Sequence, residues 1–265
     1  MEEQICNLYK KGCTILNISK QLNVPKRKVR KILVSNNIEL KKPGFCNRKY
    51  IVYEDFFDNI DTEEKAYFLG FLYADGYNNT QNSFIRLTLH EKDVHILEIL
   101  NKLIQRDRPI ATYTHKERKT NYNTLTIRSK KISKRLEEIG CFQKKTFLIE
   151  FPSEDIVSCS LQRHFIRGYF DGDGCITGNI SRGKKTPSFQ FSLVSTEIFL
   201  NSIINIFNKE MGIQINKMYT RHPERNNCIR TIFVGGNNNC KLIRDWLYQD
   251  STIYLDRKKE IFDLI

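Results

Sequence analysis

The 265-residue chain lacks any apolar run long enough to span a bilayer, and it has no N-terminal secretory pattern. No membrane partner is therefore expected. Its eight cysteines (Cys6, Cys13, Cys46, Cys141, Cys159, Cys175, Cys228 and Cys240) form no CxxC pair, and no histidine stands beside them at zinc spacing. That excludes the common zinc modules and points to a reducing, cytoplasmic setting in which thiols fill core or surface. Acids are scarce: 30 Asp and Glu against 43 Lys and Arg leave a net charge of +13. Such an excess suggests a polyanionic partner. Apolar content of 40% is ordinary, and the length suits one large core or two smaller ones plus an appendage.

What the chain does have is one stretch that occurs twice. Phe68-Leu69-Gly70-Phe71-Leu72-Tyr73-Ala74-Asp75-Gly76 superimposes on Ile166-Arg167-Gly168-Tyr169-Phe170-Asp171-Gly172-Asp173-Gly174 at an offset of 98 residues without a gap. Ala66, Gly70 and Ala74 fall over His164, Gly168 and Gly172, a mostly small stripe at i, i+4 and i+8 that lets two helices approach closely. Asp75 falls over Asp173, and each helix is expected to end at Asp-Gly with the glycine in a left-handed cap. Two carboxylates at helix C-termini are unfavourable without a cation. Their hard oxygens suit magnesium, or manganese, and a dyad-related pair suits metal-assisted phosphodiester hydrolysis on two strands. No organic cofactor is expected.

These residues resemble the LAGLIDADG homing endonucleases, in the single-chain form that carries two motifs. The resemblance covers roughly residues 50–265, including the leader from Tyr53 to Tyr67 and the closing segment from Trp246 to Lys258. It implies an α/β (α+β) fold of two pseudo-symmetric αββαββα halves forming a saddle. It also implies that Asp75 and Asp173 bind divalent ions, in a metal site to which Ala74 and Gly172 also belong. Tyr73 and Arg167 depart from the family pattern without touching the expected ligands.

Residues 1–44 carry ten basic residues against three acids. Ile5, Leu8 and Tyr9 fit a first short helix. Thr14 caps a second with Ile15, Ile18 and Leu22, and Pro25 opens a third with Val29, Ile32 and Leu33 inward. This is the pattern of a small all-α helix-turn-helix domain, with Lys26, Arg27, Lys28, Arg30 and Lys31 available to a major groove. Residues 45–61 read as a linker, 62–151 as the first repeat and 152–265 as the second.

Within the first repeat, Asp61 to Glu64 suggests a reciprocal helix cap. Asn78-Asn79-Thr80 reads as a polar turn, and the strand before Ser83 is faint. Ile85, Leu87 and Leu89 alternate with Arg86, Thr88 and His90. Asp93 is expected to cap a helix. Strands over 111–116 and 123–128 follow, the latter with Thr126 and Arg128 outward. In the second repeat a short helix leads to the motif. Lys184 and Lys185 sit in a basic loop, Gln190 and Ser192 alternate with Phe189, Phe191 and Leu193, and Lys217, Tyr219 and Arg221 alternate in a further strand. The outward polar residues of two such sheets would read base edges in a major groove.

The combined reading is a monomeric, site-specific endonuclease that cuts double-stranded DNA. Asp75 and Asp173 are its metal ligands, and Arg128 is the basic residue assigned to transition-state stabilisation. The alternatives are a group I intron maturase that binds structured RNA and a DNA-binding transcriptional regulator that does not cut. The ends lack the residues of an intein.

Overall fold

The computed structural model describes residues 1–10, 13–40, 50–105, 108–115, 117, 119–180, 186–220 and 228–265. Two compact units divide at Ile51/Val52. The first holds α1 (Glu2–Lys10), α2 (Ile15–Gln21) and α3 (Lys26–Ser35). Thr14 caps α2 by accepting from the Asn17 amide at 3.1 Å, and Asn23 turns the chain at φ 51°. Ile5, Cys6, Tyr9, Ile18, Val24, Val29, Ile32 and Leu33 close a separate small core. Lys26, Arg27, Lys28, Arg30 and Lys31 are all exposed on α3.

The second unit runs α4 (Glu63–Asp75), β1 (Tyr77–Asn79), β2 (Phe84–His90), α5 (Val94–Ile104), β3 (Ala111–His115), β4 (Thr120–Arg128) and α6 (Lys130–Glu138) in its first half. The second half supplies α7 (Cys159–Asp173), β5 (Gly174–Asn179), β6 (Ser188–Thr196), α8 (Glu197–Met211), β7 (Ile229–Gly235), α9 (Asn237–Tyr248) and α10 (Asp256–Asp263). The first sheet is antiparallel in the order β1-β2-β4-β3, and the second is β5-β6-β7. The predicted strand around Lys217 and Tyr219 is reduced, among the described residues, to one bridge between Tyr219 and Thr231. Arg221, Lys184 and Lys185 lie outside the described residues.

Thr62 caps α4 through its hydroxyl, and every residue from Ala66 to Tyr73 is buried, as an all-round apolar helix requires. The small-residue stripe works as expected. A Cβ on Gly70 would stand 1.9 Å from the Phe165 carbonyl oxygen, and one on Gly168 would stand 1.9 Å from that of Tyr67. One continuous hydrophobic core joins both halves across this helix pair, so the two repeats are not separate domains.

Several expectations are corrected. Residues 52–61 are not a linker: Phe57 and Ile60 are buried, and Arg135 donates to the carbonyls of Phe57 and Asp58. The glycines after the motif acids are not left-handed, with φ −72° at Gly76 and −95° at Gly174. They are needed because a side chain would strike the helix's last turn, 2.5 Å from the Leu72 oxygen and 2.7 Å from that of Phe170. Asn78 is no turn residue but a buried one, donating to the Ser133 and Cys141 carbonyls at 2.8 Å each. The cap of α4 is not reciprocal, because its third residue is Lys65. Glu63 instead accepts from Arg167 at 2.6 Å and from the Thr252 and Ile253 amides. Asp93 makes no side-chain cap and pairs with Arg257. The segment before α7 is a turn rather than a helix.

Gly70→Ala is expected to lower stability by about 2–3 kcal/mol, because the new methyl meets backbone that cannot yield. Gly235→Ala, with nothing within 4 Å, should cost little, and urea unfolding compares them. Arg167→Met, which removes the charge partner of half-buried Glu63 and the donor to the Leu247 and Ile253 carbonyls, should cost about 3 kcal/mol in the same assay.

Candidate functional site

The packed helices α4 and α7 end side by side, bringing Asp75 and Asp173 to one crevice. A Cβ on Gly172 would lie 2.3 Å from that of Ala74 and 3.3 Å from Asp75 Oδ2, so the second helix has no side chain where the first carboxylate sits. Ala74 and Gly172 thus bring the two acids together. Asp75 and Asp173 are both exposed to solvent on one side, and Asp173 also borders the two adjoining cavities beside Lys145, Tyr169 and Val194.

The protein around them governs their chemistry. Desolvation raises Asp75 above the usual carboxylate range, opposed by the positive charges of Lys258, Lys145 and Arg257. Desolvation first, and then the charge of Asp75, pushes Asp173 up to about 6. Lys145, Lys258 and a hydrogen bond from Tyr169 act against that rise. The Tyr169 hydroxyl also lies 2.8 Å from Ser195 Oγ.

Lys145 and Lys258 are the residues that reading by pattern missed. Lys144 takes a positive φ of 60°, and Lys145 beyond it turns inward to donate to the Gly76 carbonyl. Lys258, at the start of α10, donates to the carbonyls of Phe170 at 2.5 Å, Asp171 at 2.8 Å and Gly174 at 2.6 Å. Each lysine answers the free carbonyls and the negative dipole end of one motif helix. Burial pulls Lys258 down to about 8, so it keeps its proton at neutral pH. No periodicity marks these two residues: one lies in a basic pair after α6 and the other in a polar helix.

Arg257 holds Asp93 through Nε at 3.1 Å, and His95 Nε2 lies 3.2 Å from the Tyr254 carbonyl oxygen. These contacts tie the start of α10, and with it Lys258, to the first half. Deeper in the pair, Asp171 accepts from the Tyr67 hydroxyl at 2.7 Å and the Leu255 amide at 2.9 Å. Its Oδ1 has no partner among the described residues, and burial pushes the group up to about 6.

Arg128 is placed elsewhere. It pairs with Phe84, which pairs with Asn79, four residues past Asp75, or about 13 Å along the strand. Its guanidinium lies 5.6 Å from the Phe84 ring centre, at the outer end of the sheet. Arg86, Thr88, His90 and Thr126 do share the outward face of the first sheet, and Thr88 bonds Thr124 across strands at 2.9 Å. Gln190 and Ser192 stand outward on β6, and Lys217 and Tyr219 are exposed beside β7.

Because Asp173 has a folded pKa above its unfolded value, folding takes up a proton between about pH 4 and 6. Its contribution to stability therefore falls as pH rises through that window and is level above it. Asp75→Asn should move the Asp173 titration, followed by NMR, below 6, since one source of the shift is the Asp75 charge.

Residues 160–243 match the family model of the LAGLIDADG-like domain. No curated protein matches the sequence. Among solved structures, the homing endonuclease I-WcaI bound to its DNA recognition sequence is similar at a TM-score of 0.53 and 14% identity. That match covers 84% of this chain and 96% of that one. The LAGLIDADG homing endonuclease I-GzeII, in complex with a DNA target, matches at a TM-score of 0.48 and 13% identity, over 75% and 88% of the chains. The LAGLIDADG meganuclease I-AabMI, bound to uncleaved DNA, matches at 0.47 and 11%, over 75% and 87%. With paired motif helices, an antiparallel sheet in each half and a matching second repeat, this chain carries a LAGLIDADG-like domain on the fold of the LAGLIDADG homing endonucleases.

Proposed function

We propose that this chain is a homing endonuclease that makes a metal-dependent double-strand break in a long DNA site. The observation that carries the reading is the convergence of Asp75 and Asp173 in one crevice, each at the end of a motif helix. Among the described residues no group of three or more His, Cys, Asp or Glu could hold a metal. Two carboxylates with an open side fit an ion that keeps waters and takes phosphate oxygens, as magnesium or manganese does. When bound there by Asp75 and Asp173, such an ion would polarise the scissile phosphate and acidify water.

The protein's own groups account for the remainder. Lys145 and Lys258 offset the repulsion between the two acids, and the positive field they set at the carboxylates would also favour negative charge developing on a phosphate held there. These two lysines, rather than Arg128, are the basic groups proposed for transition-state stabilisation. Above pH 6 Asp173 is ionised, so cation affinity should rise as pH climbs through that value. The outward residues Arg86, Thr88, His90, Thr126, Gln190, Ser192, Lys217 and Tyr219 would contact base edges and backbone, and the exposed basic α3 would add phosphate contacts. One chain holds both halves, so a monomer suffices.

The test is cleavage of duplex DNA carrying the intact form of the site that the gene interrupts, with magnesium and with EDTA. A single magnesium-dependent cut is expected, absent from Asp75→Asn/Asp173→Asn. Lys258→Met should slow cutting by about 100-fold, with gel-shift affinity retained. Tight duplex binding without cutting by every variant would replace the nuclease with a regulator. Preference for structured RNA over duplex would indicate a maturase.

A further inference from the structure

The two sheets share one plan, but their outward faces differ in chemistry. Counting from the strand residue two past each motif acid, Tyr77, Arg86 and Thr126 align across the first sheet. The matching row of the second is Cys175, Ser192 and Phe233. One step nearer the motif acids, Thr88 and Thr124 are matched by Val194 and Thr231, and Tyr219 bridges to Thr231. Phe233 therefore stands where the first sheet has Thr126, and Val194 where it has Thr88.

Phe233 and Tyr219 meet edge to face with ring centres 5.4 Å apart, and they remain 41% and 44% exposed. With Cys175, Ser192, Val194 and Thr231 they line a recess of about 470 Å³ that reaches Asp173. Lys217 sets a positive charge 4.9 Å from the Tyr219 ring centre. An antiparallel sheet normally turns polar residues to water on its open face, so large apolar side chains there indicate something to be covered.

The occupant must be part of a polyanion, given the net charge and the lysine at the rim, yet it must present an apolar group. In a major groove only thymine does so, through its 5-methyl. Adenine, guanine and cytosine present no methyl to Phe233 and Val194, whereas thymine sets its 5-methyl beside a single O4 acceptor that the Ser192 hydroxyl of the same recess can meet. We propose that this recess is a thymine-methyl site, which makes Phe233, Tyr219 and Val194 specificity determinants for thymines flanking the cut on the second half's side only. This rests on the DNA-binding reading above.

The experiment selects duplexes with the full-length protein from a randomised pool in magnesium-free buffer. Enriched duplexes are then remade with deoxyuridine in place of single thymidines. Loss of a methyl at thymines on one side of the site centre should weaken binding about four-fold each. Phe233→Thr, at an exposed position, should erase that difference while the duplex is still bound. Because the uracil comparison is made on the unaltered protein, it does not depend on the folding of any variant. Uracil tolerated at every position with binding intact, or equal losses on both sides, would overturn the thymine site and leave the DNA reading standing. Failure to enrich any duplex would overturn the DNA reading, and the thymine site with it.

Discussion

Two backbones touch at Gly70 and Gly168, and the rest of the larger unit depends on that contact. Each glycine lies against a carbonyl of the opposite helix, the contact is reciprocal, and a Cβ at either position would stand 1.9 Å from that oxygen. Because the helices approach at this distance, their C-termini converge and deliver Asp75 and Asp173 together. The like charges, the crowding and the raised proton affinities follow from that approach, and so does the need for a cation at each helix end. Lys145 and Lys258 meet that need from outside the duplicated motif, one from each half.

The pseudo-symmetry is close in the motif helices and the first two strands of each sheet, and it is broken in side chains. Leu69 is replaced at the matching position by Arg167, Phe71 by Tyr169 and Tyr73 by Asp171. The polar set in α7 serves the segment between α9 and α10. Arg167 donates to the carbonyls of Leu247 and Ile253, and Asp171 receives the Leu255 amide. These bonds satisfy backbone groups that would otherwise be buried unpaired. They fix the approach to α10, from which Lys258 reaches the α7 terminus. Tyr169 brings a hydroxyl to Asp173 where Phe71 brings none to Asp75, so the two acids are not electrostatically equivalent.

Much of this was legible in one dimension. The duplicated motif, the alternation of Ile85, Leu87 and Leu89, and the stripe of Gly70 and Gly168 follow from local periodicity, which is written residue by residue. The three short helices of the first unit follow from Thr14, Pro25 and their apolar positions. Less legible were segments whose burial is decided by distant partners. Phe57 looks like linker until its core exists, and Asn78 looks like a turn until the Ser133 and Cys141 carbonyls stand beside it. Arg128 stands near the end of its strand in the sequence, and only the pairing register shows that this end lies away from the motif acids.

The sequence alone determined the repeat, the helix pair and the identity of the two acids, because spacing along a helix dictates which residues share a face. It could not determine which cations meet those acids. That choice depends on where the chain after α6 and the start of α10 return, and such returns are set by packing between elements more than sixty residues apart. The tertiary structure also decided the character of the two reading faces. Phe233 and Tyr219 are unremarkable in a strand pattern and form an apolar recess only when strand pairing places them side by side.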